Sequence, residues 1–266
     1  MSRFALLLPV VALLATGCPG GNSRVPAGGD PQRMSESEYD IARDLWLRQR
    51  KPREALAHVL EALELDDENA DAAHLAALIY LDFCSSGAAD CRLGEAEKHA
   101  RQALTLRKDY REARNTLGVV LVHQKRYGDA VAVLKPLTAD ILYQTPENAW
   151  GNLGWAYLEQ GKLDLAIDSL RRAVAAQPLF CVGHFRLGSA LERKGQITEA
   201  LDAYSAAVST EAPGCSALQE AWAARGRLYV KLGKREEADS DLLRCIELSA
   251  RTAAAKECRS MRANLK

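Results

Sequence analysis

Seven cysteines carry most of the chemistry this chain could do: Cys18, Cys84, Cys91, Cys181, Cys215, Cys245 and Cys258. Thiols can pair as disulfides, hold a metal or act as nucleophiles, and their spacing and surroundings separate these roles. No Cys-x2-Cys pair occurs, and the five histidines, His58, His74, His99, His123 and His184, are scattered. Both facts argue against a metal centre, which needs ligands gathered at fixed spacing. The chain has no phosphate-cradling glycine loop, no Gly-x-Ser-x-Gly and no His-Glu-x-x-His. Its carboxylates recur at the i,i+4 spacing of a solvated helix face. No catalytic residue, cofactor or small-molecule substrate is therefore expected, and the chain reads as a binding protein rather than an enzyme. Seven is odd, so an intramolecular disulfide set leaves at least one cysteine over. Free thiols are the alternative to disulfides.

Cys18 stands apart from the rest. It follows Arg3 and "FALLLPVVALLA", about a dozen apolar residues broken by Pro9. That run is too short for a hydrocarbon core, which takes roughly 20 residues, and has the form of a secretory h-region. The small residues Ala15, Thr16 and Gly17 come next. The whole resembles a bacterial lipobox, with Ala15 where leucine is usual and Leu14 one step back. The resemblance implies a signal peptide over 1–17 and a covalent lipid on Cys18. The alternative is an ordinary secretory signal with a chance cysteine. Pro19, rather than aspartate, follows the cysteine, which by analogy implies the periplasmic face of the outer membrane. Residues 18–33 read as a tether: "PGGNSRVPAGGDPQ" holds four glycines and three prolines in fourteen positions and cannot bury enough apolar surface to fold. As flexible coil it reaches about 20 Å.

The remainder must position whatever function there is. The chain carries 35 basic and 35 acidic side chains, 48% apolar residues and 6% aromatics. Neutral balance argues against a nucleic-acid binder, which needs a basic stripe. Abundant alanine and few β-branched runs predict an all-α fold. Ser35 followed by Glu38 has the form of a capping box opening the folded body. Further on, Trp150, Leu153, Gly154 and Tyr157, then Ala166, Leu170, Ala173 and Pro178, resemble a tetratricopeptide repeat. Related marks recur at His184, Leu187, Gly188, Leu191, Ala200, Tyr204 and Ala207, and again at Trp222, Gly226, Tyr229, Ala238, Leu242 and Cys245. Arg225 replaces the expected leucine in that last unit, predicting weaker packing. Earlier units are read at Leu117, Gly118 and Ala130, at Ala76, Ala77 and Ala96, and at Tyr39, Ala42 and Ala55. The resemblance implies a solenoid of six helical hairpins over 34–252 and a C-terminal cap helix over 253–266. Gly161, with its counterparts in "RKGQIT" and "KLGKRE", reads as a helix C-cap.

Repeat geometry then brings cysteines together in neighbouring pairs. Cys84 and Cys91 bracket an insertion between two helices. Cys181 and Cys215 lie at the same side of one hairpin. Cys245 and Cys258 face across the last turn. These predict three disulfides and leave Cys18 over.

In this repeat family the first helix of each hairpin lines a groove. Carrying those places over gives Leu78, Leu81, Asn115, Val119, Val122, Trp155, Leu158, Phe185 and Ser189, with Asp40 and Asp44 at one end and Arg227 and Lys231 at the other. The expected groove is apolar in its middle and charged at its ends, suited to an amphipathic segment. Only Asn115 fits the lysine and asparagine rows of members that clamp a peptide carboxyl terminus. Lipobox, tether and six repeats together resemble the outer-membrane pilotins of type IV pili, the PilF/PilW/Tgl group. That resemblance implies one partner, the type IV pilus secretin, whose localisation and multimerisation the protein would promote. A lipoprotein scaffold for cell-wall enzymes is the alternative.

Overall fold

The computed structural model describes residues 29–85, 89–209, 211–212 and 214–265. The signal peptide, Cys18 and the tether up to residue 28 lie outside the described residues.

Among the described residues there are thirteen α-helices and no strand. Twelve form six antiparallel hairpins: α1 (Pro31–Leu47) with α2 (Pro52–Leu65), α3 (Ala70–Ser85) with α4 (Leu93–Leu106), α5 (Arg111–His123) with α6 (Tyr127–Leu134), α7 (Pro146–Glu159) with α8 (Leu163–Ala176), α9 (Cys181–Lys194) with α10 (Ile197–Ser209), and α11 (Gln219–Lys231) with α12 (Arg235–Leu248). The last, α13 (Ala253–Ala263), packs on both α11 and α12 and closes the stack.

Local sequence explains the boundaries. Prolines open α1, α2 and α7, where a missing N–H goes unnoticed. Glu54, Glu95, Glu112, Glu147 and Asp164 stand in first turns, where the helix dipole favours negative charge. The turns leaving α7, α9 and α11 pass through Gly161, Gly195 and Gly233 at φ of 74°, 84° and 72°, the left-handed region that glycine enters without steric cost. Arg50 and Lys125 occupy it at the corresponding turns of the first and third hairpins, at 56° and 62°.

The start of the body differs from the capping-box reading. Helix α1 begins at Pro31, capped by Asp30, whose carboxylate accepts from the Gln32 N–H at 3.2 Å. Ser35 lies inside the helix, fully buried, and its hydroxyl accepts from Asn69 Nδ2 at 2.9 Å. Glu38 instead meets His58 Nδ1 at 2.6 Å. A short Ser-x-x-Glu pattern cannot tell a cap from two inward-facing helical positions when a better cap lies upstream.

Alanine, leucine and glycine at the repeat marks let the hairpins close. A Cβ on Gly154 would stand 2.6 Å from Leu170 Cγ, and one on Gly188 2.5 Å from the Tyr204 ring. The largest core cluster runs through the third, fourth and fifth hairpins, around Leu121, Leu134, Leu153, Leu170 and Tyr204. A second serves the first two hairpins around Val59 and Ile79, and a third joins α11 and α12 to the cap helix. Successive first helices α1, α3, α5, α7, α9 and α11 pack directly on one another, more closely than successive second helices do. The stack therefore bends with the first helices inside.

Disulfides join Cys84 to Cys91, Cys181 to Cys215, and Cys245 to Cys258. The first closes the insertion between α3 and α4, the second ties the start of α9 to the turn after α10, and the third fastens α13 to α12. Arg225 does not leave a packing defect. Its guanidinium grips Asp241 of α12 at 2.7 and 2.8 Å, and Asp241 is buried. It also lies 5.1 Å from the Trp222 ring and 5.7 Å from the Tyr229 ring. A buried ion pair replaces the expected leucine contact.

Candidate protein-binding face

The inner row of first helices is the candidate site, and its middle is less apolar than the sequence suggests. Val122 and Leu158 are only 3% and 4% exposed and belong to the central core. They are not groove residues. Arg193 of α9 reaches back to the Leu158 carbonyl at 2.8 Å, so the next first helix lies over this end of α7. Phe185 is half-buried as a wedge between the central core and the α10–α11 contact, 6.1 Å from the Tyr204 ring. Ser189 donates to the Phe185 carbonyl at 3.1 Å. Leu78, Leu81, Asn115, Val119 and Trp155 are half-buried, Leu81 against the core of the first two hairpins.

A polar ladder crosses the middle of the row instead. Asn152 Nδ2 donates to Asn115 Oδ1 at 3.0 Å, and Arg186 Nη1 donates to Asn152 Oδ1 at 2.9 Å. The Arg186 guanidinium lies over Trp155, 4.3 Å from the ring centroid, and His123 meets the same indole edge-on at 5.1 Å. Burial pulls the Arg186 pKa down to about 10, with Glu159 opposing. Asn152, Arg186 and His123 were not among the places carried over from the repeat family. One signal could have found two of them: Asn152 and Arg186 are polar residues 34 apart, one repeat step, at a place that elsewhere packs inward.

The two ends of the row differ. At the amino-terminal end a cavity of about 740 Å³ is lined by Glu36, Asp40, Asp66, Glu68 and Asp71, with Arg107 held 2.7 Å from Asp71. Burial opposes ionisation of Asp71, but hydrogen bonds from Arg107 and Tyr110 outweigh it and hold the carboxyl below the usual range. Asp44 lies on the adjoining surface of α1. At the other end Glu192 receives Arg227 at 3.0 Å, Lys231 at 2.6 Å and the Tyr204 hydroxyl at 2.9 Å. The two expected cations are thus tied to one carboxylate. Glu192 likewise stays below the usual range against the effect of burial, through Lys231 and Arg227.

No group of histidines, cysteines and carboxylates that could hold a metal occurs among the described residues, and no described helix is long and apolar enough to cross a membrane. What the row offers is an elongated surface of mixed polarity for a polypeptide.

Comparison with known proteins agrees with this architecture. Residues 92–140, 141–179 and 152–214 match one tetratricopeptide-repeat model, and residues 219–252 match a second. Type IV pilus assembly protein PilF of Pseudomonas aeruginosa is 29% identical over 165 residues, covering 61% of this chain and 62% of PilF. The chain thus spans about three fifths of the length of that curated relative. The crystal structure of PilW, a widely conserved type IV pilus biogenesis factor, superposes with a TM-score of 0.68 at 24% identity, over 84% of this chain and 96% of PilW. A tetratricopeptide repeat protein from Parabacteroides merdae reaches 0.69 at 15% identity, over 86% of this chain and 84% of that one. Structural likeness therefore speaks for the repeat fold and not for a partner.

Proposed function

The chain belongs to the tetratricopeptide-repeat family, and from that premise we propose that it is a non-enzymatic outer-membrane lipoprotein, a pilotin, that assists type IV pilus assembly by holding the secretin on its inner face. The observation that carries the reading is the 29% identity to PilF over 165 residues. The lipobox ending at Cys18 supports it independently.

The mechanism is physical. One acyl chain binds membrane only marginally, and stable anchoring takes more than one. Anchored through Cys18, the array is confined to the membrane face, and its tether of about 20 Å sets its reach. Confinement raises the effective concentration of partner and array for each other. The half-buried residues Leu78, Val119 and Trp155 take apolar anchors of a secretin segment and cover them until neighbouring subunits arrive.

The test is loss of the protein in its own cells. Heat-resistant secretin multimers are expected to disappear or fall sharply, and the secretin is expected to co-purify with the protein. Normal multimers in its absence defeat the reading; co-purification of cell-wall enzymes instead would point to an envelope scaffold.

A further inference from the structure

We infer that the turn bearing Ile141 and Leu142 rests on the lipid surface to which the chain is anchored, and so sets how the array stands there. This deepens the proposed function and rests on it for the presence of a membrane.

The turn is set apart by its length and by what it shows. Residues 135–145 join α6 to α7, whereas 107–110 suffice between α4 and α5 and 177–180 between α8 and α9. The long connection opens with a single 3₁₀ segment, Lys135–Ala139. Leu137 and Tyr143 turn inward and are buried, while between them Ile141 is 94% exposed and Leu142 61%. The backbone is tied at this point. One Asp140 carboxylate oxygen accepts from the Leu142 N–H at 2.9 Å, the other accepts from Arg111 Nε at 2.7 Å, and the Tyr143 N–H donates to the Asp140 carbonyl at 3.1 Å. These bonds hold two large apolar side chains in water at the tip. Exposed leucines scattered singly are ordinary on a protein surface, whereas a contiguous apolar spot marks a contact.

Its place in the fold names the occupant. In antiparallel hairpins the first helices begin and the second helices end at one edge. Contacts run along that edge: Asn69 Nδ2 to Ser35 at 2.9 Å, Arg107 to Asp71 at 2.7 Å and Arg111 to Asp140 at 2.7 Å. Asp30 caps α1 at the same edge, so the chain arriving from Cys18 enters the body there. With a tether reaching about 20 Å, a lipid on Cys18 keeps this edge nearest the membrane. The opposite edge exposes Leu47, Leu165 and Leu232 one to a hairpin, without such a pair. Two side chains are too few to hold a protein on a bilayer, where even one acyl chain binds marginally. Beside an anchor that already confines the array they need only orient it. The first helices then rise from the lipid surface, and the inner face opens sideways, toward a partner standing in the same membrane.

The test imposes the anchor chemically. The chain from residue 18 on is purified with its three disulfides formed, which leaves Cys18 as the reactive thiol. That thiol is coupled to maleimide-bearing lipid in vesicles of phosphatidylethanolamine with a minor share of phosphatidylglycerol. Tryptophan emission is compared with and without brominated acyl chains. Leu142→Trp is expected to lose emission beyond the parent chain's loss, and Lys162→Trp, an exposed place at the opposite edge, is expected to lose no more than the parent. Adding Ile141→Asp to Leu142→Trp is expected to abolish the extra loss. Ile141→Trp, alone and with Leu142→Asp, repeats the comparison should the first indole disturb the turn. No extra loss at 141 or 142, equal loss at 162, or a loss that survives the aspartate overturns the contact. A dimer of the uncoupled parent, seen by sedimentation and dissociated by Ile141→Asp, would make the turn an interface between copies and overturns it too. Because the anchor is supplied in the test, absence of the biological lipid would defeat the proposed function and leave this result standing.

Discussion

His74 is held by two hydroxyls, and their protons fix its state. Its Nδ1 lies 3.1 Å from the Tyr110 hydroxyl, and that hydroxyl donates to Asp71 at 2.7 Å. The tyrosine oxygen can therefore only accept from His74, so the imidazole carries its proton on Nδ1. Its Nε2 lies 3.0 Å from Thr116 Oγ1, which is equally 3.0 Å from the Glu112 carbonyl. The single threonine proton serves the imidazole when it is neutral and Glu112 when it is charged. Burial decides between these states and pulls the pKa of His74 from 6.5 to about 4, against the attraction of Asp71. A histidine held neutral by folding contributes stability that is complete above the unfolded pKa, near 6.5, and is lost as pH falls toward 4. His99 and His123 are also lowered by burial and act in the same direction. Urea titrations at pH 7.5 and 4.5 are expected to differ by about 3 kcal/mol from His74 alone. His74→Gln, neutral at both values, removes that share; an unchanged pH dependence in the variant would refute this account. None of this was legible in the sequence, because the partners lie 36 and 42 residues away, one capping α5 and one within it. Asn152 and Arg186 did leave a trace, two polar residues one repeat step apart, but their polarity has meaning only once α5, α7 and α9 are side by side.

Helix pairing, by contrast, was written plainly. The marks at Gly118, Gly154 and Gly188 are small because an opposing side chain already fills the space a Cβ would take. Gly188→Ala would drive a methyl to 2.5 Å from Tyr204, a fully buried ring whose hydroxyl is tied to Glu192. It is expected to cost about 2 kcal/mol. Gly226→Ala meets Leu242 first at 3.0 Å, a side-chain end that can shift, and is expected to cost under about 1 kcal/mol. Equal losses in denaturant titrations would mean that close approach is not what selects these glycines. Arg225 marks where the pattern stopped being readable. A consensus place filled by arginine suggests a defect, but the compensating Asp241 stands on the opposite helix at a place the repeat pattern leaves open. Arg225→Leu leaves Asp241 buried without its partner and is expected to cost about 3 kcal/mol. Adding Asp241→Leu is expected to recover most of that loss, since two apolar side chains can replace a buried ion pair. A double variant no better than the single would mean that the pair's geometry, and not its charge, holds α11 to α12. Val122 and Leu158 failed for a different reason. Family places assume a groove open along its whole length, whereas here α9 lies over the end of α7 that carries Leu158, and α7 packs on α5, which carries Val122.

A stacked array divides its labour along its length. Each hairpin contacts chiefly its neighbours, so stability is shared locally. Two of the three covalent ties hold α13 and an interruption of the chain: Cys245 and Cys258 fasten α13 to α12, while Cys84 and Cys91 close the insertion after α3. That pairing was legible because an odd cysteine count and a known period leave few sensible partners. It also isolates Cys18, which precedes the body described from residue 29. Fold and location are thus expected to be separable. Cys18→Ala should leave the denaturation midpoint of the purified protein unchanged within error. The same variant should be lost from the outer-membrane fraction, and secretin multimers should fall with it. If the anchor acts by confinement alone, its contribution is an effective concentration, in the millimolar range for short flexible links. Overproducing the unanchored variant, exported through an ordinary cleavable signal, should then restore multimers in proportion to its amount. Restoration that never exceeds background at any level would mean that the lipid, or the membrane surface it reaches, takes part in assembly directly. Full activity at native abundance would mean that Cys18 is not what places this array beside its partner.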